Sequence, residues 1–311
     1  MALRNHSTIT EFVLLGLSAD PMTQALLFVL FLGIYLLTVM GNLMMILVIR
    51  MDSHLHTPMY FFLSHLSFVD LCFSSVTVPK MLENLQSQKK TISVKGCLTQ
   101  IFFVIITGGT EVCLLSVMAY DRYAAICHPL LYGQMMTKHR CVQLLCGSWI
   151  IGFLDALINV LLAMKIDFCH AYIIPHYSCE LPSIFLLSCS DISSNLIVMF
   201  CFFILHGLAT SLSVLFSYVC IIFTILNISS SSGRSKAFST CSSHLTAVVF
   251  FYGSAFLRYF LPTSGSPLEL IFSVQYGVIT PMLNPLIYSL KNKEVKMAVS
   301  RTLENYLCFQ C

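Results

Sequence analysis

Long apolar runs alternate with short polar connections along this chain, and the runs are its dominant signal. Seven of them, residues 25–49, 58–79, 98–120, 141–164, 195–226, 237–257 and 270–290, reach the roughly 20 residues a helix needs to cross about 30 Å of hydrocarbon. None alternates apolar and polar positions as a barrel strand does, so each predicts a helix that satisfies its own backbone groups where no water can. The pattern predicts an all-α membrane protein: one seven-helix transmembrane bundle over residues 25–290, an outer N-terminal segment over 1–24 and an inner tail over 291–311. In that tail, charges at 291, 293, 294 and 296 oppose Val295, Ala298, Val299 and Leu303, which predicts a short amphipathic helix on the membrane surface. The longest connection, 165–194, is the natural lid of the bundle.

Composition agrees. The chain is 57% hydrophobic and 10% charged, with mean hydropathy +0.83, whereas soluble domains carry about 25% charged residues. A soluble globule is excluded. The first run has full span length and reads as an uncleaved anchor rather than a signal peptide. Lys and Arg set the orientation. With the N-terminus outside, the inner segments hold Arg50, Arg122, Lys138, Arg140, Arg234, Lys236, Lys291, Lys293, Lys296 and Arg301, against Arg4, Lys80, Lys89, Lys90, Lys95, Lys165 and Arg258 outside. Asn5, in Asn-His-Ser, is then an outer glycosylation acceptor. Asn227, in Asn-Ile-Ser, would be inner and silent. Of 14 cysteines, Cys97, Cys169, Cys179 and Cys189 fall in outer segments and suggest two disulfides, with three pairings open. Cys308 and Cys311 read as reduced thiols or as palmitoylation sites.

The chemistry begins at residues 118–127, Met-Ala-Tyr-Asp-Arg-Tyr-Ala-Ala-Ile-Cys, where Asp121 and Arg122 end the third run. An arginine at a membrane edge can pair with its neighbouring acid and still touch facing helices, so it is a candidate latch. Three acids lie inside spans: Asp70, Glu111 and Asp155. Glu111 precedes Arg122 by almost three helical turns and shares a face with Val104, Gly108, Leu115 and Met118. Asp70 and Glu111 suit a sodium ion, or a shared proton because close carboxylates resist double ionisation. Asp155 has no evident partner. Pro281 and Pro285 interrupt the seventh span, and Asn284 between them can bond a freed carbonyl or face Asp70. Positions 104, 105, 108, 109 and 112 share one helical face. There Gly108 and Gly109 read either as room for a ligand or as close helix packing. No metal-ligand spacing or nucleophile–base pair stands out, so the chain does not read as an enzyme.

Taken in order, several segments carry a resemblance: Asn42 after Gly41, residues 56–63 (His-Thr-Pro-Met-Tyr-Phe-Phe-Leu), 118–127, the single Trp149, Ser217 with Tyr218, 236–245 (Lys-Ala-Phe-Ser-Thr-Cys-Ser-Ser-His-Leu), Phe251 to Gly253, and 281–288. Over residues 5–301 the chain resembles an odorant receptor of the rhodopsin-like G-protein-coupled receptors. The resemblance implies that Asp121 holds Arg122 until the sixth span swings out and frees it toward Tyr218 and Tyr288. Tyr123, Tyr252, Asn284 and Pro285 belong to the same switch. The opened cleft would take the α subunit of a stimulatory, olfactory-type G protein and raise cyclic AMP. It also implies disulfides pairing Cys97 with Cys179 and Cys169 with Cys189, and an allosteric sodium pocket at Asp70 and Glu111. No other cofactor, no further metal and no nucleic acid is implied. The odorant pocket would be lined by Val104, Ile105, Gly108, Gly109, Phe202, Phe203, His206, Gly207, Phe256, Tyr259 and Ser273. This lining suits a small, neutral, largely apolar molecule whose oxygen His206 or Tyr259 orients, while Arg258 reads as an outer salt bridge with Glu180 or Glu269. His65 stands where the family has Asn, and residues 227–235 are poor in basic residues. The alternatives are a rhodopsin-like receptor for another small molecule, although retinal is excluded because span seven has no lysine, and a proton-coupled transporter, which no inverted repeat supports.

Overall fold

The computed structural model describes residues 9–168, 172–260 and 266–308, apart from the side chains of 236, 240, 259, 260, 291, 293 and 303–308. Seven helices have spanning length. They are α1 (Pro21–Met51), α2 (Pro58–Gln86), α3 (Val94–Cys127), α4 (Lys138–Ala163), α5 (Ser193–Leu226), α6 (Ser231–Phe260) and α7, which joins Pro267–Val274, a π-helical turn Gln275–Ile279 and Thr280–Lys291. Most extend past their apolar runs because capped polar turns prolong them beyond the hydrocarbon. Asp20 accepts from Thr23 N at 2.8 Å ahead of Pro21, Ser93 from Gly96 N at 3.0 Å, and Ser266 from Glu269 N at 3.3 Å ahead of Pro267. An eighth helix, α8 (Lys293–Cys308), follows α7 almost at once. It buries Val295 and Ala298 and exposes Glu294 and Met297. Tyr60 donates to Glu294 at 2.7 Å, and Arg301 donates to Asp52 at 2.6 and 2.9 Å, pinning α8 across the connection between α1 and α2. The Arg301 hydrogen bond holds the Asp52 carboxyl down at about 2.

At the bundle end that carries the N-terminus lies a small sheet: β1 (Glu11–Leu14), β2 (Thr91–Ser93) and β3 (Ile173–Ile174), with β1 antiparallel to β2 and parallel to β3. The N-terminal segment is therefore not simply a polar tail, since it supplies the central strand. Its alternation turns Phe12 and Leu14 inward against Ile174, Ile184 and the Cys97 to Cys179 disulfide.

Helix α3 is the axis of the bundle and packs on α2, α4, α5 and α6. Its crossing with α4 is glycine-mediated. A Cβ on Gly152 would stand 2.7 Å from the Ile106 carbonyl oxygen and 2.8 Å from Thr110 Oγ1, and one on Gly109 would meet Gly152 Cα at 3.2 Å. In lipid such close approach supplies much of the helix–helix attraction. Gly152→Ala is expected to lower the thermal stability of the purified protein, by about 1–3 kcal/mol if backbones must part. Gly147→Ala, whose Cβ meets nothing within 4 Å, is the matched control and should leave the melting point unchanged or raise it slightly. Equal melting curves for the two variants would contradict this packing.

Candidate functional site

Beneath the sheet and lid is a cavity of about 620 Å³, within the range of sites for small organic ligands. Ten of the eleven expected pocket positions, Val104, Ile105, Gly108, Gly109, Phe202, Phe203, His206, Gly207, Phe256 and Ser273, reach its wall, joined by Phe73, Val112, Asp155, Asn159 and Tyr276. The side chain of Tyr259 is outside the described residues. The two readings of the glycine pair are both realised. Gly108 and Gly109 line the cavity, yet a Cβ on Gly108 would stand 2.8 Å from Tyr276 Oη, and Gly109 closes on α4.

The roof is a buried polar cluster. Arg258, 2% exposed, donates to Glu180 and lies 3.5 Å from the fully buried Glu269. Ser273 donates to Glu180 at 3.2 Å, and Tyr177 donates to the Ser273 carbonyl at 3.0 Å. Gln100 on α3 ties the lid down by accepting from Cys179 N at 2.8 Å. Arg258 is thus a structural ion pair rather than a solitary cation. His176 Nδ1 accepts from Ser178 N at 3.1 Å, which leaves the ring proton on Nε2, 3.8 Å from Glu180. Burial holds this imidazole below its ordinary value of 6.5, against the pull of Glu180. Cys189 is disulfide-bonded, while Cys169 and Asn5 lie outside the described residues.

Mid-bundle, Asn284 donates to both oxygens of Asp70 at 3.0 and 3.2 Å. The carbonyl freed by Pro285 is that of Pro281, and Asn42 rather than Asn284 takes it, at 3.0 Å. Asp70 and Glu111 are 0% and 2% exposed, and Glu111 Oε1 has no hydrogen-bond partner among the described residues. Two buried carboxylates with a spare oxygen fit a small cation or a proton. Asp155, without a partner in the sequence reading, accepts from Asn159 at 2.7 Å and lies 3.5 Å from His206.

At the far end, Arg122 is 7% exposed and donates to Asp121 at 3.1 Å, while Tyr132 on the following turn holds the other Asp121 oxygen at 2.8 Å. Arg122 Nε and Tyr288 Oη have no partner among the described residues. Tyr218 bonds His244 Nδ1 at 2.7 Å, and His244 Nε2 faces the Leu115 carbonyl at 3.1 Å, so one imidazole ties α6 to α5 and α3. Tyr132 and His244 were not singled out from sequence. The lone histidine of the Ser-rich segment 236–245 was the available signal. Of the other expected switch residues, Tyr123 adjoins Arg122 and bonds His128 at 2.9 Å, and Tyr252 lines the cavity.

The olfactory receptor family model matches residues 31–306. The chain belongs to the olfactory receptor family. It is 72% identical to Olfactory receptor 8S1 of Homo sapiens over 95% of this chain and 82% of that one. It is 50% identical to Olfactory receptor 8G17 of Mus musculus over 96% and 99%. The crystal structure of squid rhodopsin superposes with TM-score 0.75 at 18% identity, over 92% of this chain and 82% of that one, a likeness of fold. This olfactory receptor is accordingly a multi-pass membrane protein with the rhodopsin-like fold, in a family of receptors rather than enzymes.

The receptor's lid carries a pH signature. His176 resists protonation when folded, so its contribution to stability is complete above pH 6.5 and is lost as pH falls from there toward its lower folded value. Thermal unfolding of the purified receptor in lipid should show the melting point dropping between pH 6.5 and 5, and His176→Gln should flatten that part of the profile. Parallel profiles for the two proteins would refute the assignment.

Proposed function

We propose that this receptor binds a small, neutral, largely apolar odorant in the cavity and signals through a stimulatory, olfactory-type G protein that raises cyclic AMP. On this reading it sits in the plasma membrane with the N-terminus, the sheet and the glycosylation acceptor Asn5 outside. The observation that carries the proposal is the continuity of α3. One helix lines the cavity with Val104, Ile105 and Gly108, passes Glu111, and carries Arg122 near its far end. A ligand that shifts α3 against α6 weakens the His244 bridge. Arg122 then exchanges Asp121 for the partnerless Tyr288 hydroxyl, and the space vacated as α6 moves admits the G-protein helix. Asp70 and Glu111 hold a sodium ion in the resting state, where its charge offsets one buried carboxylate while the other keeps its proton. Binding energy shifts this equilibrium only by its difference between the two arrangements.

The test is a chemically diverse odorant panel in cells, read as cyclic AMP. Responses should fall to background in Arg122→Ala, with surface expression kept. They should fall for most ligands in Val104→Trp, which fills the cavity wall. A full response from Arg122→Ala, or activation by carboxylates or polyamines alone, would refute the coupling or the ligand part respectively.

A further inference from the structure

One polar constellation on the cavity wall is left unused by the proposed activation path. The Asn159 amide donates to Asp155 Oδ1 at 2.7 Å and to the Asp155 carbonyl at 3.0 Å, fixing the carboxylate on α4. Its other oxygen, Oδ2, faces His206 Nδ1 on α5 at 3.5 Å. Phe202 packs edgewise on the imidazole, with ring centroids 5.4 Å apart. Asp155, Asn159 and His206 all line the cavity. Among the described residues, no group bonds His206 Nε2.

A carboxylate beside one ring nitrogen attracts the N–H dipole and repels the lone pair, so it places the imidazole proton on that nitrogen. The other nitrogen is left as an acceptor. The remaining charges on the wall point the same way: Glu180 adds negative potential, and Arg258 is shared between Glu180 and Glu269, so among the described residues of the wall no further Lys or Arg is there to hold an acid. We propose that Asp155, acting through His206, is a specificity-determining positioning residue: it keeps Nε2 a hydrogen-bond acceptor, so the cavity selects a neutral, largely apolar ligand bearing one hydroxyl, an alcohol or a phenol. The proposal rests on the cavity being the odorant site and narrows the ligand class.

The experiment measures ligand-induced thermal stabilisation of the full-length receptor in lipid nanodiscs. Linear, cyclic and aromatic skeletons are each offered as the hydroxyl compound, its methyl ether, the aldehyde and the carboxylic acid. Hydroxyl compounds should bind the native receptor about tenfold or more tightly than their ethers, the size of one hydrogen bond to a charge-paired acceptor. Asp155→Asn should erase that ratio by weakening the hydroxyl compounds about tenfold while ether binding stays unchanged. His206→Phe should do the same, and it decides the matter if Asp155→Asn fails to fold. A merely structural Asp155 would weaken all ligands alike. That result, or a preference for aldehydes or acids, overturns the proposal. Cyclic AMP assays run in parallel separate the two readings. Hydroxyl-selective binding without cyclic AMP refutes the signalling proposal and leaves this one standing. Equal cyclic AMP potency for hydroxyl compounds and their ethers refutes this proposal alone.

Discussion

Hydrocarbon offers a polar group no alternative partner, and the interior of this bundle is organised by that constraint. Each donor or acceptor inside must be answered by another side chain, by backbone or by a guest. Pro285 removes one N–H, which frees the Pro281 carbonyl, and Asn42 reaches across from α1 to take it. Asn284, one residue before Pro285, is thereby available to Asp70 on α2. A kink in one helix is thus held by side chains from two others, so α1, α2 and α7 form a unit whose geometry is set by a few hydrogen bonds. Elsewhere in the bundle His244 bonds Tyr218 and faces the Leu115 carbonyl, joining α6 to α5 and α3.

The two ends of the bundle are held by different kinds of tie. At the sheet end a disulfide, three strands, the Gln100 bond and the Arg258 cluster act together. Losing any one leaves the others in place. At the Arg122 end α3 meets α6 through the imidazole of His244, Arg122 pairs with Asp121, which Tyr132 also holds, and Arg122 Nε and Tyr288 Oη have no hydrogen-bond partner among the described residues. Unpartnered buried groups cost free energy, so on the proposed reading a second arrangement that pairs them lies close in energy. On the proposed reading this near balance is what allows a small ligand, whose binding preference between two states is worth only a few kcal/mol, to move the population.

How far the molecule was legible in its sequence follows from the range of each interaction. The seven spans and the short surface helix were readable because length and period are local properties. For Asn284 the sequence left two partners open, a freed carbonyl or Asp70, and only the packing of α1 against α7, which brings Asn42 to that carbonyl, separates them. The strand Glu11–Leu14 was not, since four residues of alternation mean little until 91–93 and 173–174 are seen beside them. Asp155 stood without a partner because His206 is 51 residues away on another helix and only their packing brings them to 3.5 Å. The two readings of Gly108 and Gly109 could not be separated from sequence, as both demand the same missing side chain. In the structure both glycines line the cavity, and Gly109 also closes on α4.

The cavity shows why one hydrogen bond can govern ligand class in a site built mainly from aliphatic and aromatic carbon. Dispersion and burial scale with contact area, so molecules of one shape gain nearly the same from Val104, Ile105 and Phe203, whatever their functional group. A methylene more or less changes affinity by about 1–3 kcal/mol, which grades homologues but hardly separates an alcohol from its ether. A polar side chain on the wall discriminates because it must be desolvated by any occupant and is repaid only by one that bonds it. With Arg258 committed to two carboxylates, the imidazole of His206 is the group on the α4–α5 wall whose bonding capacity an occupant can complete. On the proposed reading, the apolar wall sets the size and outline of what enters, and the orientation of one ring proton sets its chemistry.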